Sequence, residues 1–265
     1  MRPIVVKVGG STLGAHDTAL EDIAALWAQG RRLVVVHGGG SAATEWLKVH
    51  GIASEFVDGL RVTGPDAIEV VAAVFAGLVN KQLVAQLLAL GAKAVGVSGV
   101  DGAMLPTSRI DERLGFVGSV SGVDTSLLTA LMESRFLPVV APLAFWAERP
   151  AQLMNLNADT VAGELAAAVG AAALIFLTDV PGVRDETGAW AERLDPGAAR
   201  RIIASGAAAG GMLPKLEACL RAAEAGVPSW IVDGREAHAL KQCLEGQRRG
   251  TSIEPSGAPS GAGQV

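Results

Sequence analysis

Cysteine is scarce in this chain: Cys219 and Cys243 are the only two among 265 residues. Both fall in helical-looking stretches, so they read as small apolar core residues of a protein in a reducing, cytoplasmic compartment, not as a disulfide framework. Histidine is nearly as rare, with four copies, and none pair at metal-ligand spacing, so no protein-held metal is expected. Basic charge is not in excess: 22 Lys and Arg against 27 Asp and Glu give a formal net charge of −5, which disfavours nucleic acid as a partner. The apolar run over residues 162–177 is broken by Glu164 and Gly170, which argues against a membrane span. Arg2 and Pro3 lead straight into a short strand where a signal peptide would need a charged and then an apolar region. No G-x-x-x-x-G-K-[ST] occurs, which excludes a P-loop enzyme.

Glycine, by contrast, is abundant at 33 residues, and much of it lies where an apolar run gives way to a helix. Ile4-Val5-Val6-Lys7-Val8-Gly9-Gly10-Ser11 is echoed by Leu33-Val34-Val35-Val36-His37-Gly38-Gly39-Gly40-Ser41. Such strand-turn-helix junctions place bare backbone N–H groups at the positive end of a helix dipole, where an anion is favoured. Lys7 interrupts an otherwise apolar strand, a costly position unless the ammonium meets a partner or an anionic ligand. Two anion cradles and an in-strand lysine point to phosphoryl transfer.

Short β-branched runs alternate with helical periods, the pattern of an α/β sandwich with a mostly parallel sheet. Strands are expected over 4–8, 33–37, 94–98, 138–141, 174–178 and 230–233. Helices are expected over 17–29, 42–50, 65–90, 125–134, 158–169, 197–204 and 214–225. The segments 56–62 and 103–120 read as hairpins at one end of the sheet. Residues 1–157 and 158–253 form two lobes, and from Glu254 onward Pro, Ser, Gly and Ala predominate, as in a disordered tail.

Several polar residues need more than a structural role. Arg61 in Asp58-Gly59-Leu60-Arg61-Val62-Thr63 sits on a short hairpin, suited to a bidentate grip on a carboxylate. Asp159 follows Asn155 and Asn157 and lies inside the first turn of a helix, where capping explains it poorly. Asp179 ends an apolar strand and is followed by the Pro181-Gly182 turn, at the strand end where α/β sheets hold ligands. Lys215 follows Gly210-Gly211-Met212 in a first helical turn, against the helix dipole unless a phosphate lies between. Gly38, Gly40 and Ala43 also fit a relaxed dinucleotide fingerprint, but Asp58 stands in a hairpin and not at the end of a second parallel strand.

Taken in order, Lys7-Val8-Gly9-Gly10, His37-Gly38-Gly39-Gly40, Gly59-Leu60-Arg61-Val62-Thr63, Asn155-Leu156-Asn157-Ala158-Asp159, Thr178-Asp179-Val180-Pro181-Gly182 and Gly211-Met212-Leu213-Pro214-Lys215 resemble the amino acid kinase family. The resemblance implies an open αβα sandwich whose N-terminal lobe takes an acyl amino acid, N-acetyl-L-glutamate, and whose C-terminal lobe takes ATP with Mg²⁺ carried on the nucleotide. It casts Lys7 and Lys215 as the pair neutralising the transferred phosphoryl group, with Asp159 holding both. Gly38, Gly39, Arg61 and Asn155 would receive the acceptor. Gly10, Asp179, Gly182, Gly211 and Met212 would face the nucleotide. The Ala- and Gly-rich stretch 207–211 departs from the family pattern. A carrier-bound aminoadipate or glutamate is the alternative acceptor; a non-catalytic sensor has no use for Lys7, Asp159 and Lys215 together. With three residues ahead of the first strand, a homodimer insensitive to arginine is expected, packed through Ile68, Val71, Phe75, Leu78 and Leu87 of the long helix.

Overall fold

The computed structural model describes residues 1–9, 18–208, 210–247 and 250–255. β1 (Ile4–Val8), α1 (Ala19–Ala28), β2 (Leu33–His37) and α2 (Gly40–Val49) lead into a hairpin of β3 (Phe56–Val57) and β4 (Leu60–Arg61). A long helical run follows: α3 (Pro65–Ala72), a π-helical segment Ala73–Val79, and α4 (Asn80–Ala89). Next come β5 (Ala94–Ser98), β6 (Pro106–Arg109), β7 (Gly118–Val120), α5 (Ser126–Glu133), β8 (Leu137–Ala141), β9 (Leu143–Trp146) and β10 (Arg149–Asn155). The remainder holds α6 (Ala158–Ala168), β11 (Ala173–Thr178), β12 (Val183–Arg184), β13 (Trp190–Ala191), β14 (Arg193–Leu194) and α7 (Pro196–Ala204). It closes with α8 (Met212–Glu224), β15 (Ser229–Asp233), α9 (Ala239–Leu244) and β16 (Thr251–Ile253).

The main sheet runs β14-β16-β15-β11-β1-β2-β8-β5, parallel except where β15 meets β16. Its strands alternate between two apolar layers because successive side chains point to opposite faces. Ile4, Val6, Val8, Leu33 and Val35 join one core with Val71, Phe75, Leu83 and Leu87 of the long helix. Val5, Val34, Val36 and Phe176 join the other, with Val161 and Leu165 of α6 and Leu216 and Cys219 of α8. Lys7 shares the parity of Val5 and so faces α6 and α8. His37 shares the parity of Val35 and faces the long helix. This one alternation divides the polar residues of the site.

Three expectations need correction. The stripe Ile68, Val71, Phe75 and Leu87, read as a dimer face, is buried inside the chain, and Leu78 is half-buried. A sequence shows that a stripe exists but not which surface covers it. Glu254 is not loose: its carboxylate pairs with Arg193 at 2.5 Å, and Thr251–Ile253 before it is a sheet strand. The rest of the expected tail, 256–265, lies outside the described residues. α8 begins at Met212 and not at Pro214, because a proline in the first turn forfeits an N–H that has no helical partner there.

α6 and α8 pack closely enough to need a glycine. A Cβ on Gly163 would lie 2.8 Å from both Cα and Cβ of Ala218. Gly163 lies one turn after Asp159 on α6, and Ala218 one turn after Lys215 on α8. Gly163→Ala is expected to cost about 1–3 kcal/mol through overpacking and to lower turnover by shifting Lys215 from Asp159. Urea unfolding with parallel rate measurements checks this. An unchanged midpoint would mean that the helices have room to part.

Candidate active site

The parallel register gathers the carboxyl ends of β1, β2, β11 and β8 along one edge, with Lys7 opposite Phe176 and Val36. Asp159 arrives from above, in the first turn of α6. Asn157 caps that helix, its side chain accepting from the Asp159 N–H at 2.8 Å and the Thr160 N–H at 3.2 Å. This leaves the Asp159 carboxylate free to reach sideways. Lys7 Nζ lies 2.7 Å from Oδ1, and Lys215 Nζ lies 3.0 Å from Oδ2. The Lys215 contact is a hydrogen bond, shared with the Gly211 carbonyl at 3.0 Å. The Lys7 contact is close but poorly aligned, so it acts as a charge pair and leaves Oδ1 without a true donor. One buried carboxylate thus balances the buried Lys7 and the half-buried Lys215 ammonium, leaving a surplus positive charge at the cleft.

That cleft, about 180 Å³, is lined by Lys7, Gly39, Arg61, Phe75, Asn155 and Asp159 among others. The Gly38 N–H is not free to bind a ligand: it continues the sheet by donating to the Val8 carbonyl at 3.2 Å. The Gly39 N–H has no acceptor among the described residues. Arg61 is only 5% exposed, stacks over the Phe56 ring at 4.6 Å, and has no carboxylate partner among the described residues. Its Nη2 donates to the Gly40 carbonyl and to Thr44 Oγ1, each at 2.8 Å, and its Nη1 donates to Ser54. Burial pushes its pKa below the usual guanidinium value. A buried cation held only by neutral groups is a strong seat for an anion. Asn155, at the end of β10, donates through Nδ2 to Thr63 Oγ1 at 3.0 Å.

Asp179, Gly182, Gly211 and Met212 do not line this cleft. Gly10 lies outside the described residues. Asp179 is exposed at the carboxyl end of β11, Met212 opens α8, and Gly211 reaches the cluster through its carbonyl on Lys215. Gly182 is buried against β16, where a Cβ would lie 2.5 Å from Thr251 Oγ1, so packing accounts for its lack of a side chain. Sequence reasoning gave no roles to Phe56, Ser54, Thr44 or His37. Of these only His37 carried a signal, as a polar residue closing an apolar strand.

The amino acid kinase family's sequence profile matches residues 2–233. The chain belongs to the amino acid kinase family. Within it, an acetylglutamate kinase of Rubrobacter xylanophilus is 46% identical over 259 residues, spanning 97% of this chain and 99% of that one. An acetylglutamate kinase of Dehalococcoides mccartyi is 42% identical over 254 residues, spanning 94% and 93%. A crystal structure of the smu.665 protein of Streptococcus mutans UA159 superposes with a TM-score of 0.81 at 28% identity, over 95% of this chain and 98% of that one. The mostly parallel sheet between helical layers is thus this family's architecture.

His37 is fully buried, and its pKa is lowered to about 4, chiefly by burial and further by Lys7 and Lys81. Between pH 4 and its ordinary 6.5 the unfolded chain binds a proton that the folded chain refuses. Stability therefore falls as pH drops through that window, by up to about 3 kcal/mol from this group. Unfolding free energies of wild type and His37→Asn across the window check this: the slope should shrink in the variant, and an equal slope would refute the assignment.

Proposed function

We infer that this chain transfers the γ-phosphoryl group of ATP to the γ-carboxylate of N-acetyl-L-glutamate. The products are N-acetylglutamyl 5-phosphate and ADP, a step of arginine biosynthesis carried out in the cytoplasm. The observation that carries the reading is Asp159 with one lysine on each carboxylate oxygen at the strand ends. The acceptor follows from relatives of that name at 42% and 46% identity over nearly the whole chain.

The acceptor carboxylate is ionised at neutral pH, so attack needs no general base. What the site must supply is alignment of two polyanions and positive charge on the equatorial oxygens of the moving phosphoryl group. Lys7 and Lys215 provide that charge from either side of Asp159, and the Gly39 N–H adds a donor. Arg61 takes the acceptor's other carboxylate as its missing counter-ion, beside Asn155. Asp179, Gly211 and Met212 face the nucleotide, in a lobe beginning at Ala158. Among the described residues no three His, Cys, Asp or Glu side chains come together to hold a metal, and both Asp159 oxygens already face ammoniums. Mg²⁺ would enter with the nucleotide and would supply shielding of the phosphate charge. A homodimer would use what the long helix leaves exposed, including Ala73, Gly77 and Leu88.

Arg61→Lys should raise KM for the amino acid much more than KM for ATP, because an ammonium keeps the charge but loses the planar fork. A rise confined to ATP would reverse the assignment of the two substrates. The reading as a whole is tested by coupled ADP release with free N-acetyl-L-glutamate, free L-glutamate and aminoadipate on a carrier protein. Turnover with the first is expected. Turnover only with the carrier-bound substrate would move the chain to lysine biosynthesis.

A further inference from the structure

His37 closes β2 on the face away from the lysines, yet its ring reaches the glycine loop. Nδ1 lies 2.6 Å from the Gly38 carbonyl oxygen, and Nε2 lies 3.1 Å from Asn80 Nδ2. Asn80 fixes the direction of both bonds. Its Nδ2 also lies 2.9 Å from the Val139 carbonyl, and its Oδ1 lies 3.0 Å from Lys81 Nζ. A reversed amide would set oxygen against carbonyl and NH₂ against ammonium. Asn80 therefore donates to Nε2, which carries no proton, and Nδ1 must donate to Gly38.

The surroundings are built for this link. Any side chain on Gly96 of β5 would collide with the Asn80 amide. Asn80 follows directly on the π-helical segment, and π turns of this kind concentrate at functional sites. That segment also presents Phe75 to Gly39, where a Cβ would lie 2.8 Å from Phe75 Cδ1. In a trans peptide the C=O and the following N–H point opposite ways. Holding the Gly38 oxygen against the buried imidazole therefore turns the Gly39 N–H away from it. The Gly38 N–H, tied to Val8, anchors the peptide before it, which leaves the imidazole as the group that holds the Gly38–Gly39 plane.

We propose that His37, oriented by Asn80, is a positioning residue that sets the Gly38–Gly39 peptide plane and aims the Gly39 N–H at the reacting carboxylate. The proposal rests on the kinase reading above. Lys81 on α4 and, from across the sheet, Lys7 on β1 act on the imidazole through their charge, and both keep it neutral, so the donor at Nδ1 persists across the working range. His37 touches no reactant and takes no proton from one.

The test compares His37→Leu, which fills similar space without a donor, with His37→Asn, which keeps an N–H where Nδ1 stands. The leucine variant should lose about 10–100-fold in kcat/KM for N-acetyl-L-glutamate, short of the full loss of an oxyanion donor. Its KM for ATP should stay within about twofold, and the asparagine variant should recover most of the loss. Equal losses in both variants, or a parallel rise in KM for ATP, would mean that the histidine only fills space. A wild type inactive on N-acetyl-L-glutamate would instead bring down the kinase reading, and the proposal with it. Imidazole ¹⁵N spectra of the wild type give a readout independent of turnover and of any variant's folding. A bare Nε2 with a protonated Nδ1 is expected; a proton on Nε2, or titration near the ordinary histidine value, overturns the proposal.

Discussion

Lys7→Ala and Lys215→Ala should each cut kcat by about 10²–10³-fold, the loss seen when one transition-state charge donor is removed. Each ammonium sits within 3.0 Å of a different Asp159 oxygen, so each meets the phosphoryl group from its own side, and neither can cover for the other. Ground-state affinity should move less, because the charge on the equatorial oxygens is best matched during transfer. Steady-state rates at saturating substrates, with nucleotide affinity by calorimetry, separate the two effects. A loss below about tenfold in both variants, in folded protein, would remove the lysines from the chemistry.

Asp159→Ala should be the most damaging single change to the whole molecule. It leaves the Lys7 and Lys215 ammoniums without their shared counter-ion, and breaking a buried pair in this way costs about 3–5 kcal/mol. Turnover should fall with stability, since the lysines then part. An added anion can stand in for the lost carboxylate, so sulfate should raise the variant's unfolding midpoint more than the wild type's. An unfolding midpoint equal to the wild type's would show that water already screens the cluster.

The strand-glycine-helix junctions were legible because each condenses its physics into a few neighbouring residues. An apolar run, a charge inside it and glycines after it read directly as Lys7 and the loop after His37. Period-2 alternation sets Lys7 on the face opposite Val6 and Val8, and the fold shows that α6 and α8 cover that face. What the sequence hid depends on partners distant along the chain. The link from Asn80 to His37 spans 43 residues, and the π-helical segment that precedes it leaves no composition signal. The β9–β10 hairpin escaped notice because Pro150 and a register shift between Arg149 and Leu153 break its alternation. The sequence points to Arg61 as a clamp for a carboxylate, and the folded chain adds that its donors hold Gly40, Thr44 and Ser54. The same long-range pairing tied the Gly38 amide into the sheet and left Gly39 as the available donor.

The most direct test traps the product. With ATP, N-acetyl-L-glutamate and hydroxylamine, the purified chain should form an acyl hydroxamate in step with ADP, and the Lys7→Ala, Lys215→Ala double variant should form neither. ADP release without hydroxamate, or hydroxamate formed as fast by the double variant, would contradict phosphoryl transfer to a carboxylate between these two lysines.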